Sequence, residues 1–185
     1  MIDDIQRETK QAMTKSVDAL KRDLKRIRTG RASLALLDGI MVDYYGSPTP
    51  INQLATLSIP EARLIVIQPW DSKAIPDIEK AILKSELGLT PSNDGKLVRI
   101  TIPPLTAERR KELVKSVKKL GEEFKVQIRN HRRDANEMLK DLKKEKEISE
   151  DDQKRGQELI QKLTDEFIGK VDHLIEEKEA EITEI

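Results

Sequence analysis

The sequence predicts an α+β protein: a long antiparallel three-helix bundle with a small β/α/β domain inserted into it. Three observations predict this. Apolar residues recur at helical spacing in three stretches, one at the start of the chain and two after residue 105. Prolines and β-branched runs are confined to the intervening part, where charge density falls. The composition, 37% hydrophobic and 37% charged with only 3% aromatic, suits long helices better than one thick globular core.

The first stretch, residues 2–29, reads as a helix. Met13, Val17, Leu20, Leu24 and Ile27 step by three and four, and Ile2 and Ile5 extend the line. Arg26 and Arg28 fall in its expected last turn, and Gly30 is expected at the C′ position in a left-handed conformation. Dipole neutralisation accounts for Arg28 but less well for Arg31, which lies beyond the bend.

Residues 39–45, 63–68 and 97–102 read as strands, and 54–59 as a shorter one. Residues 46–50, Gly-Ser-Pro-Thr-Pro, read as a loop. Residues 72–87 form an amphipathic pattern with Ile75, Ile78, Ala81 and Ile82 on one side, Pro76 in the first turn and Gly88 closing the end. Asn93-Asp94-Gly95 marks a turn before the last strand. Trp70 is expected to pack under this unit.

A long helix, residues 106–146, follows the double proline Pro103-Pro104, with Thr106 at the N-cap. Leu113, Val117, Leu120, Phe124, Ile128, Ala135, Met138 and Leu142 form its apolar stripe. Residues 146–149 break it. Ser149 then caps a third helix, with Asp152 at the capping-box position and an apolar line of Ile160, Leu163, Phe167, Val171, Leu174 and Ile182. Three striped helices bury their stripes together only as a bundle, so residues 1–30 and 105–185 form one domain and 31–104 the other. The two crossings, around Gly30-Arg31 and Pro103-Pro104-Leu105, have the composition of a hinge.

The formal net charge is zero, but it is unevenly distributed: +3 over residues 1–30, −1 over 31–105, +5 over 106–148 and −7 over 149–185. The long helix and its flanks carry 14 basic and 9 acidic residues. Lys111, Lys115, Lys118, Lys125, Arg129 and Arg132 form a second stripe that points mostly away from the apolar one. Interspersed glutamates allow a solvated, ion-paired face. The cluster Arg129-Asn130-His131-Arg132-Arg133 argues instead for phosphate, since crowded guanidiniums repel and their forks match phosphate oxygens. From Arg110 to Arg132 is about 33 Å of rise with only about 40° of net rotation, so these residues can follow one backbone track.

Catalytic patterns are absent from the sequence. There is no cysteine, no glycine-rich phosphate loop and no zinc-binding histidine pair, so neither enzyme, metal nor cofactor is expected. His131 reads as a core or boundary residue. The start of the chain does not resemble a secretory signal, and no apolar run is long enough to span a membrane, so a cytoplasmic protein without a membrane partner is expected. A helical adaptor that binds protein would also explain the stripes, but not the clustered arginines.

Residues 27–33 (Ile-Arg-Thr-Gly-Arg-Ala-Ser), 37–40, 44–46, 102–111 (Ile-Pro-Pro-Leu-Thr-Ala-Glu-Arg-Arg-Lys), 128–135 and 146–152 resemble, in order and over the whole chain, the signatures of bacterial ribosome recycling factors. Departures fall at Leu34, where the family usually has proline, at Ala107, often glutamate, and at His131, usually aliphatic. The resemblance implies an L-shaped, monomeric molecule with the dimensions of transfer RNA. It also implies binding to the large ribosomal subunit, through 23S rRNA, and action with GTP-bound elongation factor G to split ribosomes after termination, releasing mRNA and tRNA. Arginines matching Arg110, Arg129 and Arg132 are associated with the RNA contact, and Arg28, Arg31 and Arg133 match family-typical positions to which the same role is extended.

Overall fold

The computed structural model describes residues 1–184. In order, the regular elements are α1 (Ile2–Lys25), β1 (Met41–Tyr44), β2 (Ser47–Pro50), β3 (Ala55–Glu61), β4 (Leu64–Pro69), α2 (Ile75–Lys84), β5 (Pro91–Asn93), β6 (Val98–Thr101), α3 (Ala107–Lys144) and α4 (Glu150–Thr183). They form two compact units: Met1–Ile27 with the chain from Ala107 onward, and Arg28–Thr106.

The first unit is the three-helix bundle. At 1.5 Å per residue α3 is about 57 Å long. It runs antiparallel to α1, as the bond between Ser16 Oγ and His131 Nε2 (3.0 Å) and the cluster of Ile5, Ala135, Leu139 and Ile160 record. His131 is thus a half-buried boundary residue joined to α1. Between α3 and α4 the chain reverses within residues 145–149. Lys146 takes a positive φ of 58°, and Ser149 and Asp152 form the expected capping box.

Two positions of the expected stripes are corrected. On α3, Met138 is 49% exposed and Leu139 is fully buried; on α4, Ile175 replaces Leu174 in the core. Each substituted residue lies over a glycine of the facing helix. A Cβ on Gly121 would stand 2.7 Å from Ile175 Cγ1, and one on Gly156 would stand 2.9 Å from Leu139 Cδ2. Gly121 and Gly156 therefore let α3 and α4 approach closely, whereas a Cβ on Gly169 would meet nothing within 4 Å.

The second unit holds a two-stranded sheet, β1-β2, and a four-stranded antiparallel sheet of order β3-β4-β6-β5. Ile65 and Ile67 on β4 pair with Ile100 and Val98 on β6. These four share a core with Ile78 and Ile82 of α2. Residues 47–50 are a strand, not a loop. Pro48 and Pro50 lie opposite Asp43 and Met41, while Ile51 N, of opposite parity, donates to Ile40 O (3.3 Å). The missing proline N–H groups therefore face away from the ladder, which an edge strand tolerates.

Other boundaries also shift. α1 ends at Lys25, with Arg26 as C-cap. Gly30 is left-handed (φ 77°), but it lies four residues past that cap and not at C′. The chain leaves the helix early because Thr29 is buried and Ala32 N bonds Ala62 O (2.8 Å), so packing in the second unit overrides helix propensity. α2 stops at Lys84 because Ser85 is extended and Leu87 and Leu89 turn back into the core. Trp70 is 69% exposed, contrary to expectation.

Candidate nucleic-acid interface

The cationic surface of the bundle is built on α3. With the buried line of Leu113, Val117, Phe124, Ile128 and Leu139 as reference, Lys111, Lys115, Arg129, Arg133 and Lys140 all point about 120–160° away, within about 40° of one another. No hydrogen bond or ion pair joins these five to any described residue. Glu122, a carboxylate on the same line, is held by Lys125 (3.1 Å).

The other lysines of the expected stripe have different roles. Lys118 and Lys125 project toward α4, where they meet Glu179 (4.0 Å) and Asp172. The hydrogen bond to Asp172, reinforced by Glu122, holds the Lys125 ammonium above the ordinary lysine value. These pairs strap α3 to α4 and do not belong to the outward ridge.

None of the four α3 arginines singled out from sequence contacts a carboxylate among the described residues. Arg129 and Arg133 are exposed and unpaired, and Arg132 donates to the neutral Gln161 Oε1 (3.1 Å). Arg110 is half-buried, with an Nε that no described residue accepts from. A buried donor without an acceptor is rare. Arg132 and Arg133 line a shallow cleft with Asn136, Glu137, Lys140 and Gln157, and Asn136 Oδ1 is also buried without a partner. Lys140 and Asn136 were missed in the sequence. Lys140 stands seven residues after Arg133 on the same line, and that spacing is the signal that could have found it.

Arg28 and Arg31 lie in the second unit, and the ridge in the first. The Arg28 guanidinium donates to the carbonyls of Leu87 (2.7 Å) and Glu86 (3.5 Å), just past the end of α2. Its charge therefore serves the C-terminal end of α2, not that of α1. Among the described residues no group of histidines and carboxylates could hold a metal ion, and no helix is long and apolar enough to cross a membrane.

A family model described as ribosome recycling factor matches residues 20–183. This chain belongs to the ribosome recycling factor family. A ribosome-recycling factor of Syntrophobacter fumaroxidans is 60% identical over 185 residues, covering all of both chains, and one of Heliobacterium modesticaldum is also 60% identical over the same span. Among solved structures, the solution structure of a ribosome recycling factor aligns with a TM-score of 0.79 at 48% identity, covering 100% of this chain and 98% of the other. A second structure describes the Thermus thermophilus ribosome recycling factor and Escherichia coli elongation factor G bound to the E. coli post-termination complex. It aligns with a TM-score of 0.66 at 50% identity over 98% of each chain. The α+β architecture, a long-helix bundle interrupted by a small β-rich domain, is thus the ribosome recycling factor fold.

Proposed function

We propose that this chain recycles ribosomes as a binding factor and not as an enzyme. In this reading α3 seats on 23S rRNA of the large subunit in the post-termination complex. With GTP-bound elongation factor G the chain then splits the ribosome into subunits, freeing mRNA and tRNA. The observation that carries the reading is the line of cations on α3 that no carboxylate among the described residues pairs with. Such a line attracts a phosphate backbone and positions the protein without reading sequence. Arg129 and Arg133 are its arginine contacts, and Arg110 and Arg132, which lie nearer the buried side of α3, add contacts beside the line. Arg28 and Arg31 take a lesser share, since Arg28 already serves the carbonyls beyond α2.

The bundle (Met1–Ile27 with the chain from Ala107 onward) acts as a stiff lever and the inserted domain (Arg28–Thr106) as the part that moves. Gly30 and Arg31 form one crossing of the hinge, and Pro103, Pro104 and Leu105 form the other. The GTPase supplies the energy and this chain the geometry. It works as a cytoplasmic monomer that needs no metal or cofactor. The relative bound with elongation factor G to a post-termination complex supports the choice of partner.

The test is a subunit-splitting assay followed by light scattering. Subunits should accumulate when this chain, elongation factor G and GTP are all present, and not when any one is omitted. Intact ribosomes in the complete mixture would refute the proposal.

A further inference from the structure

The cleft beside the ridge is lined by groups that a phosphate track does not call for. Arg132, Arg133, Asn136, Glu137 and Lys140 line it from α3, and Gln157 lines it from α4. Steps of three and four residues bring the α3 members onto one face. Gln157 follows Gly156, the residue at which α4 closes on Leu139 of α3. The side chains of Asn136, Glu137 and Gln157 make no hydrogen bond or ion pair with any described residue.

Phosphate oxygens accept hydrogen bonds, so a pocket for phosphate alone needs donors. Here the amides of Asn136 and Gln157 each offer an acceptor as well as donors, and the Glu137 carboxylate only accepts. Base edges carry donors and acceptors side by side and match such a mixture. The Asn136 amide is uncommitted. Its Oδ1 is buried without a partner, so a half-turn that exchanges Oδ1 with Nδ2 breaks no bond to that oxygen, and either group can face the cleft.

Arg132 is held differently. It donates to Gln161 Oε1 (3.1 Å), and Gln161 Nε2 donates to Asp165 Oδ1 (2.8 Å). A guanidinium anchored in this way is a fixed plane on which a base stacks. The volume of the cleft, about 260 Å³, lies below the roughly 300 Å³ at which sites for whole small molecules begin. It suits one ring system and not a complete nucleotide.

We infer that this cleft receives one unstacked base of the RNA strand that α3 grips, with the amides of Asn136 and Gln157 on its edge and Arg132 on its face. Arg133 and Lys140, which belong to the ridge, hold the phosphates on either side. The inference deepens the proposed function and rests on it. The ridge grips without reading sequence, and the cleft adds one position that is read.

The test is the double variant Asn136→Ala/Gln157→Ala of the full chain, bound to large ribosomal subunits. Both side chains are uncharged and neither bonds a described residue. Thermal unfolding and the slope of log affinity against log salt should therefore match the parent's, while affinity falls about tenfold. Dimethyl sulfate, kethoxal and carbodiimide then probe the bases of 23S rRNA at saturating protein. One base should be protected by the parent and reactive again with the variant, and the hydroxyl-radical footprint on the backbone should be the same for both. Gln157→Ala alone serves the same readouts should the double variant unfold early.

Affinity within about twofold of the parent's, or base reactivity identical in the two complexes, overturns the inference and leaves the ribosomal role standing. A lower salt slope in the variant marks a lost phosphate contact and overturns it as well. A parent chain that leaves no footprint on the RNA refutes the ribosomal role itself.

Discussion

Arg129 and Arg133 offer the sharpest perturbation, because neither is paired with any described residue. Replacing both with alanine removes two guanidiniums from the ridge but no internal hydrogen bond or ion pair. Folding stability should therefore change by no more than about 0.5 kcal/mol. Each charge-assisted phosphate contact contributes about 1.5 kcal/mol, so affinity for large subunits should fall by about 3 kcal/mol, or roughly 100-fold. Each lost contact also lowers the slope of log affinity against log salt by about 0.8, or about 1.6 for the pair. Between 50 and 200 mM salt the parent should then lose about ninefold more affinity than the variant. Sedimentation across that range measures both quantities. Arg155→Ala is the control, since Arg155 pairs with Asp152 (3.1 Å) on α4, and its slope should match the parent's. An unchanged slope in the double variant with its fold intact, or an equal change in the control, would refute the argument that the ridge grips phosphate.

Two further outcomes concern the scaffold. Gly169→Ala should stabilise the bundle by about 1 kcal/mol in urea unfolding, because its new Cβ meets nothing. Gly121→Ala should instead destabilise by up to about 2 kcal/mol, with overpacking against Ile175 outweighing the same propensity gain, and Ile175→Ala should lessen the penalty. Equal effects at the two glycines would contradict the close crossing. In the second unit the backbone N–H of Leu97, then that of Lys96, and the Arg99 guanidinium hold the Asp94 carboxyl well below the usual range. A depressed folded value stabilises the fold above the unfolded pKa, and this contribution is lost as pH falls below about 3.8 toward the folded value. Asp94→Asn should therefore flatten the acid side of the stability curve. Parallel curves for parent and variant between about pH 2 and 6 would count against this assignment.

Much of the bundle was legible because it is written locally. The α4 capping box needs only Ser149 and Asp152, and helical spacing gives most of each stripe. The errors on α3 and α4 share one cause. Met138 and Leu139 both lie near the buried arc, as do Leu174 and Ile175, and the choice within each pair is made by a gap on the facing helix. Gly156 leaves room for Leu139 and Gly121 for Ile175, and a single helix read alone does not record its neighbour's gaps. The second strand was obscured for a different reason. Two prolines normally signal a loop, and only the ladder's parity makes them harmless at an edge. For the candidate interface, the arginine cluster is visible in the sequence. That Lys118 and Lys125 are diverted to α4, while Lys140 stays outward, depends on where α4 lies.

The distribution of charge between adjacent helices has a consequence for how the molecule arrives. α3 is rich in cations, whereas α4 exposes Glu158, Asp165, Glu166, Glu176 and Glu177. A cylinder with opposite signs on different flanks feels a torque as it nears a polyanion and rolls before it touches. On the proposed reading wrong landings are rejected during approach, and added salt weakens that selection along with the attraction.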